Sequence, residues 1–444
     1  MTSKLAESAL RPWNVLAIAV SAISPTTSVF LVYGTGLQAA GTGVVLAFLI
    51  GAVIALCMSL CYAEVGSVFP SAGGAYTIVT RALGPVVGGM VAVLFLLLGL
   101  TSTASILTSA ATYLSALIPG GLPVSWVALA MMVLVTALSL GRISPASWVA
   151  AAMLVLELGV ILVFIVLAFA HPQFTGNPFT APMRGEGGTL HGIGIFGVLA
   201  AVVPALFAFN GYDWPLYFAE ESRGTRRSLP RAVLLAALIA IVVEVLAVIS
   251  ATFAIGDLGA SMASDSPLAL IASQVMGPVG ATVLLIGVVI AMFDTGLAAN
   301  LGYARIYYAA ARDGMLPGAI GRFFAHVSAK SKVPSYAFAF LFVGNGLLCI
   351  FSSLTTLITF TSVIIGTIYL TVAVSALVCR VRDRDRERAF RMPVWPLPPL
   401  IAIAGVLIAL GQQSVRDLGI ALGIAAVALL VYLLVRKRLP SRVP

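Results

Sequence analysis

Long apolar runs, separated by short polar loops, recur from near the start of the chain to near its end. A helix that crosses a lipid core needs about 20 mostly apolar residues. Runs of that kind cover 13–39, 44–68, 85–115, 124–141, 147–170, 193–222, 230–256, 279–311, 334–351, 355–379, 397–413 and 416–435. The predicted fold is therefore all-α and polytopic, with 12 transmembrane helices. Several runs exceed the minimum length, so tilted or broken helices are expected. Residues 1–12 and 436–444 are polar ends. No cleavable signal peptide is evident, and the first apolar run reads as the first span.

Composition strengthens this picture. Of 444 residues, 60% are hydrophobic and 9% charged, against about 25% charged in soluble domains. So few charges cannot cover a water-soluble body of this size, and lipid is the natural solvent. The net charge of +9 does not point to nucleic acid, because the basic residues sit in short loops. All 25 Lys and Arg residues except Arg184 and Arg416 fall on one side of the predicted topology. That asymmetry puts both termini in the cytoplasm, and a bacterial cytoplasmic (inner) membrane is the expected location. The loop 171–192 then reads as external. The loop Arg380–Arg391 reads as a solvated cytoplasmic segment, with lipid headgroup binding as the alternative.

Two spans carry residues that interrupt helices. Ser24-Pro25-Thr26-Thr27-Ser28 lies in the first, and Pro204 through Phe207-Ala208-Phe209-Asn210-Gly211-Tyr212-Asp213 lies in the sixth. Proline removes a helical hydrogen bond, and backbone freed at membrane depth is tolerated where it lines a cavity. The two interruptions are five spans apart. That spacing predicts two inverted five-helix repeats, 13–170 and 193–379, followed by two further spans in 397–435. The unwound stretches Pro25–Ser28 and Phe207–Gly211 are expected to meet at mid-depth.

Five acids fall within spans: Glu64, Glu157, Asp213, Glu244 and Asp294. No Lys or Arg is expected deep in any span. Buried carboxylates without a fixed cation must bind a cation, take up a proton or find hydrogen-bond donors. Glu64, near the end of its span, reads as structural or gating, and the role of Glu244 is open. Glu157, Asp213 and Asp294 are the functional candidates. The four cysteines, Cys57, Cys61, Cys349 and Cys379, read as apolar packers, and no metal or cofactor is expected.

The motifs resemble those of the amino acid–polyamine–organocation transporters. The likeness is carried by Tyr62-Ala63-Glu64 with Phe69-Pro70-Ser71-Ala72-Gly73-Gly74-Ala75-Tyr76, and by Phe207-Ala208-Phe209-Asn210-Gly211-Tyr212-Asp213 with Ala219-Glu220-Glu221 and Leu229-Pro230-Arg231. It is carried further by Ala310-Ala311-Arg312-Asp313-Gly314-Met315-Leu316-Pro317 and by the span count. The resemblance implies a leucine-transporter-like fold with helices 1 and 6 broken, and alternating access around a midplane site. It implies that the backbone of the broken helices holds the solute, that Phe207 is a gate and that Phe95 is a second aromatic. It makes Ser24, Pro25, Thr26, Thr27, Ser28, Phe95, Thr103, Phe207, Ala208, Phe209, Asn210, Gly211 and Asp213 the candidate substrate residues. Two departures stand out. The family usually has Gly-x-Gly where this chain has Thr26-Thr27-Ser28, so hydroxyls stand in for bare amides. Some proton-coupled relatives carry a Lys at the position of Glu157. A carboxyl there cannot replace a cation, but it can take a proton or ligate sodium. If Asp294 lies close by, the two carboxyls compete to ionise.

The reading is a secondary transporter of an amino acid or a related amine, coupled to a proton through Glu157 and Asp294. A substrate exchanger and a sodium-coupled symporter of a polyamine or amine are the alternatives. A membrane enzyme is disfavoured, because His171, His191 and His326 all lie in loops and no HExxH, CxxC or GxSxG occurs. Nothing in the sequence suggests a channel's continuous pore.

Overall fold

The computed structural model describes residues 12–71, 73–141, 146–186, 189–219, 225–316, 318–328, 331 and 333–412, with isolated positions between 419 and 430. Helices α1 (Pro12–Ile23) and α2 (Pro25–Ala40) share the first predicted span, and α3 (Val44–Val68) forms the second. A short α4 (Gly74–Leu83) leads into α5 (Pro85–Ala116), α6 (Val124–Ser139) and α7 (Ala146–Ala170). The loop 171–192 holds a hairpin of β1 (Met183–Glu186) and β2 (Thr189–Gly192), with Arg184 opposite His191. The sixth span is divided among α8 (Ile195–Leu199), α9 (Val202–Ala208) and α10 (Trp214–Tyr217). Then come α11 (Thr225–Phe253), α12 (Leu258–Ala263), α13 (Pro267–Arg312), α14 (Gly318–Phe324), α15 (Ser335–Phe351), α16 (Leu354–Arg382) and α17 (Leu397–Gly411). Among the described residues, six helical stretches are long and apolar enough to cross a membrane, and four shorter apolar helices accompany them. The polar ends, Glu220-Glu221 and most of the predicted span 416–435 lie outside the described residues.

Between lipid-facing helices there is no water to expel, so close contact and hydrogen bonds hold the bundle together. Helix α2 packs on α9 and α13, while α7 packs on α13, α11 and α1. Small residues permit these approaches. A Cβ on Gly51 of α3 would stand 3.0 Å from the Cβ of Ala205 on α9.

The breaks differ from expectation in one respect, and proline chemistry explains it. Pro25 does not unwind the residues after it: Pro25–Ser28 form the first turn of α2, and Ser24 alone is non-helical. Pro204 likewise sits in the first turn of α9, and the helix gives way only after Ala208. The opening N–H groups of a helix have no intrahelical acceptor, so proline costs nothing there and favours a helix start.

The arginine-rich ends also depart from a simple solvated loop. Glu64, at the end of α3, receives Arg380 Nη1 at 2.5 Å and the backbone N–H of Met392 at 2.8 Å, with Arg388 Nε at 3.2 Å. The Arg388 side chain is 2% exposed. Arg382 donates to the backbone of Ala82 and Arg81. Part of Arg380–Arg391 is thus an internal clamp joining α3, α4 and the end of α16. Arg305, two turns from the end of α13, is also buried, over the Phe218 ring at 5.0 Å.

Candidate functional site

The first break is built by Ser24. Its φ of 48° and ψ of 83° lie in the left-handed region, which costs a non-glycine residue about 1–3 kcal/mol and persists only where its surroundings hold it. Those surroundings are specific. With the helix interrupted, the Thr27 N–H turns to Ser24 Oγ at 3.2 Å and the Thr26 N–H reaches Glu157 Oε1 at 3.2 Å. Thr26 Oγ1 donates to the Glu157 carbonyl at 3.0 Å. The freed Ile23 carbonyl accepts from Ser28 Oγ at 2.9 Å. Glu157, on α7, therefore serves as an acceptor for backbone that the break exposes.

The second break meets the first. Ser28 Oγ lies 2.8 Å from the carbonyl of Ala208, where α9 ends. Gly211 adopts φ of 125°, and a Cβ there would stand 3.1 Å from the Cα of Ile23. Only glycine lets the two interrupted segments approach this closely. Asn210 Nδ2 donates to Tyr369 Oη at 2.8 Å. Asp213 accepts a short hydrogen bond from the Tyr217 hydroxyl.

Two small cavities sit at this junction. One, about 30 Å³, is lined by Thr27, Ser28, Ser102, Phe207 and Thr295 among others. The second, about 10 Å³, holds Asp213 among Tyr62, Phe95, Tyr217 and Tyr369. Asn210, Trp214 and Tyr303 line both, so the two are neighbouring compartments. Each has water-sized room, so a solute needs them to widen. The Asp213 compartment pairs a carboxylate with aromatic faces, the chemistry that attracts an organic cation.

The predicted residues separate into three groups. Thr27, Ser28, Phe207 and Asn210 line the first compartment, and Phe95 and Asp213 the second. Ser24, Pro25, Thr26, Ala208 and Gly211 shape the breaks behind them. Phe209 turns away and meets Phe48 edge-on at 5.7 Å. Thr103 is buried outside both compartments, whose lining instead includes Ser102 one residue earlier. Asp294 and Glu244 both lie within electrostatic reach of Glu157. Among the described residues no group of three or more His, Cys, Asp or Glu side chains could hold a metal.

Sequence reasoning missed Thr295 and the tyrosines. Thr295 Oγ1 lies 2.9 Å from Thr27 Oγ1. Tyr62, Tyr303 and Tyr369 come from three helices remote in sequence, and only Tyr62, through its motif, drew notice there.

The model of the Amino acid permease family matches residues 10–435. The branched-chain amino acid permease BcaP of Bacillus subtilis is 26% identical over 85% of this chain and 82% of its own length. The low-affinity putrescine importer PlaP of Escherichia coli is 26% identical over 65% of this chain and 63% of its own length. A methylthioribose transporter of B. subtilis is 21% identical over 86% of this chain and 83% of its own length.

Proposed function

The chain belongs to the amino acid permease family, and from that premise we propose that it is a proton-coupled secondary transporter of an amine-bearing solute. The observation that carries the reading is the pair of compartments where the two breaks meet. The solute's ammonium sits against Asp213 and the rings around it. The remainder faces the hydroxyls of Thr27 and Ser28 and the Phe207 ring. Twelve helices in two inverted repeats, with both termini in the bacterial cytoplasm, are part of the same reading.

Glu157 is the proposed proton carrier. It supports the first break directly through Ser24 and Thr26, so its charge state bears on the geometry of the substrate site. An ionised carboxylate is a strong acceptor for the Thr26 N–H, whereas a neutral acid is a weaker one. Protonation is thus expected to loosen the start of α2 from α7 and to bias the inward-open state. Asp294 and Glu244 lie within electrostatic reach of Glu157, so the ionisation of the three is coupled.

The test is uptake into proteoliposomes of radiolabelled amino acids and diamines under an imposed pH gradient. The reading expects accumulation driven by the gradient, and loss of that drive in Glu157→Gln. Accumulation driven only by sodium, or only by internal substrate, would replace it with a sodium symporter or an exchanger. Purely anionic solutes are expected to be refused.

A further inference from the structure

We propose that Ser24, Thr27 and Thr295 form a hydroxyl relay through which Glu157 exchanges its proton with the substrate cavity. The relay rests on the proton-carrier role of Glu157 proposed above and adds the route. Glu157 itself is 1% exposed and is not part of either cavity lining. Thr27 and Thr295 are in the lining of the first compartment. From there, oxygens succeed one another to the carboxyl. Ala291 O lies 2.8 Å from Thr295 Oγ1, which lies 2.9 Å from Thr27 Oγ1. Ser24 Oγ then lies 2.6 Å from Thr27 Oγ1 and 2.6 Å from Glu157 Oε1.

The hydrogen count of this row of oxygens depends on Glu157. The row has four oxygen–oxygen contacts, all within hydrogen-bond distance, but its three hydroxyls supply only one hydrogen each. A carbonyl has none to give. All four contacts become hydrogen bonds only when Glu157 carries the fourth hydrogen. The sequence of donors then runs from the Glu157 acid to Ser24, to Thr27, to Thr295, to the Ala291 carbonyl. With Glu157 ionised, the direction reverses: Thr295 donates to Thr27, Thr27 to Ser24 and Ser24 to the carboxylate, and only the contact to Ala291 O is given up. The row therefore has two self-consistent polarities, one for each charge state of Glu157.

The transfer step balances. A protonated donor in the cavity, a hydronium ion or a bound ammonium, gives its proton to Thr27 Oγ1. The hydrogen of Thr27 passes to Ser24 and that of Ser24 to Glu157 Oε1. The donor loses one positive charge, the carboxylate loses its negative charge, and each hydroxyl ends with the one hydrogen it began with. The other titratable groups near Glu157 are Glu244 on α11 and Asp294 on α13. Neither is hydrogen-bonded into the row, so neither carries the proton along it.

The experiment measures the initial rate of substrate-dependent proton entry into proteoliposomes with an internal pH dye, in H2O and in D2O. Thr27→Val keeps the shape and removes the hydroxyl, and Thr27→Ser restores it. The relay expects Thr27→Val to slow proton entry by about tenfold or more and Thr27→Ser to return to near the wild-type rate and solvent isotope effect. Thr295→Val, a second variant at the cavity end, is expected to slow entry less, because Thr27 itself lines the cavity and can still receive a proton there directly. Wild-type rates in Thr27→Val would overturn the relay, and so would equal slowing in the Val and Ser variants, which would mark a packing role. Absence of proton entry in wild type, or coupling retained in Glu157→Gln, would instead overturn the carrier role on which the relay rests.

Discussion

Glu64 and Glu157 are both buried glutamates on membrane helices, yet their surroundings are opposites. Glu64 is held by the guanidinium groups of Arg380 and Arg388 and by a backbone N–H. Fixed positive charge neutralises it, and nothing about its site changes unless the clamp opens. Glu157 is held by a hydroxyl and one backbone N–H, and its Oε2 has no hydrogen-bond partner among the described residues. Its hydroxyl partners can reverse the direction of their hydrogen bonds, which arginines cannot do. Burial alone therefore does not mark a working carboxylate. What separates the two is whether the surroundings tolerate both charge states.

The largest effect expected is from breaking the clamp. Glu64→Gln leaves Arg388 buried without its counter-charge, which costs about 3–5 kcal/mol. Thermal melting in detergent should show a marked loss, and a melting temperature near wild type would put Glu64 in the same class as Glu157. Next is Asp213→Asn, which removes the charge facing the aromatic compartment. Uptake of an amine substrate should weaken by about 10- to 100-fold, the value of one charge-assisted contact, with melting little changed. Equal loss of melting and uptake would make Asp213 a structural acid like Glu64. Third is Glu157→Gln, which keeps the shape and cannot ionise. It should shift stability by less than about 1 kcal/mol while removing the dependence of uptake on the pH gradient. The smallest effect belongs to the exposed pair Arg384–Asp385, 3.9 Å apart. Arg384→Ala should change stability by no more than about 0.5 kcal/mol, which calibrates the clamp measurement.

Much of this was legible in the sequence, for physical reasons that also explain the misses. The predicted spans up to residue 413 fall largely on helix, the sixth being divided among three short ones, because the period and length of apolar runs are dictated by lipid. The two breaks were visible as prolines with hydroxyl and amide neighbours. Their positions were off by a few residues, because proline was read as breaking the helix when it begins one at Pro25. The meeting of Ser28 with Ala208, and of Gly211 with Ile23, came from the same pairing of spans. What could not be read was contact between residues remote in sequence. Thr295 looked like any hydroxyl beside Asp294, and Ser24, read as a substrate residue, gave no sign of its contact with Glu157. The arginines of Arg380–Arg391 read as solvated because alternating charge usually is, and only the fold shows Arg388 turned inward to Glu64. Arg305 falls near the end of the predicted span 279–311, and only the fold shows it buried.

The account stands most directly on the two charge states of Glu157 being used during transport. The measurement is proton flux together with solute flux in proteoliposomes, comparing wild type with Glu157→Gln. Solute-dependent proton entry in wild type, and solute exchange without proton entry in Glu157→Gln, is the predicted result. Solute uptake without proton movement in wild type, or unchanged proton entry in the variant, would contradict it.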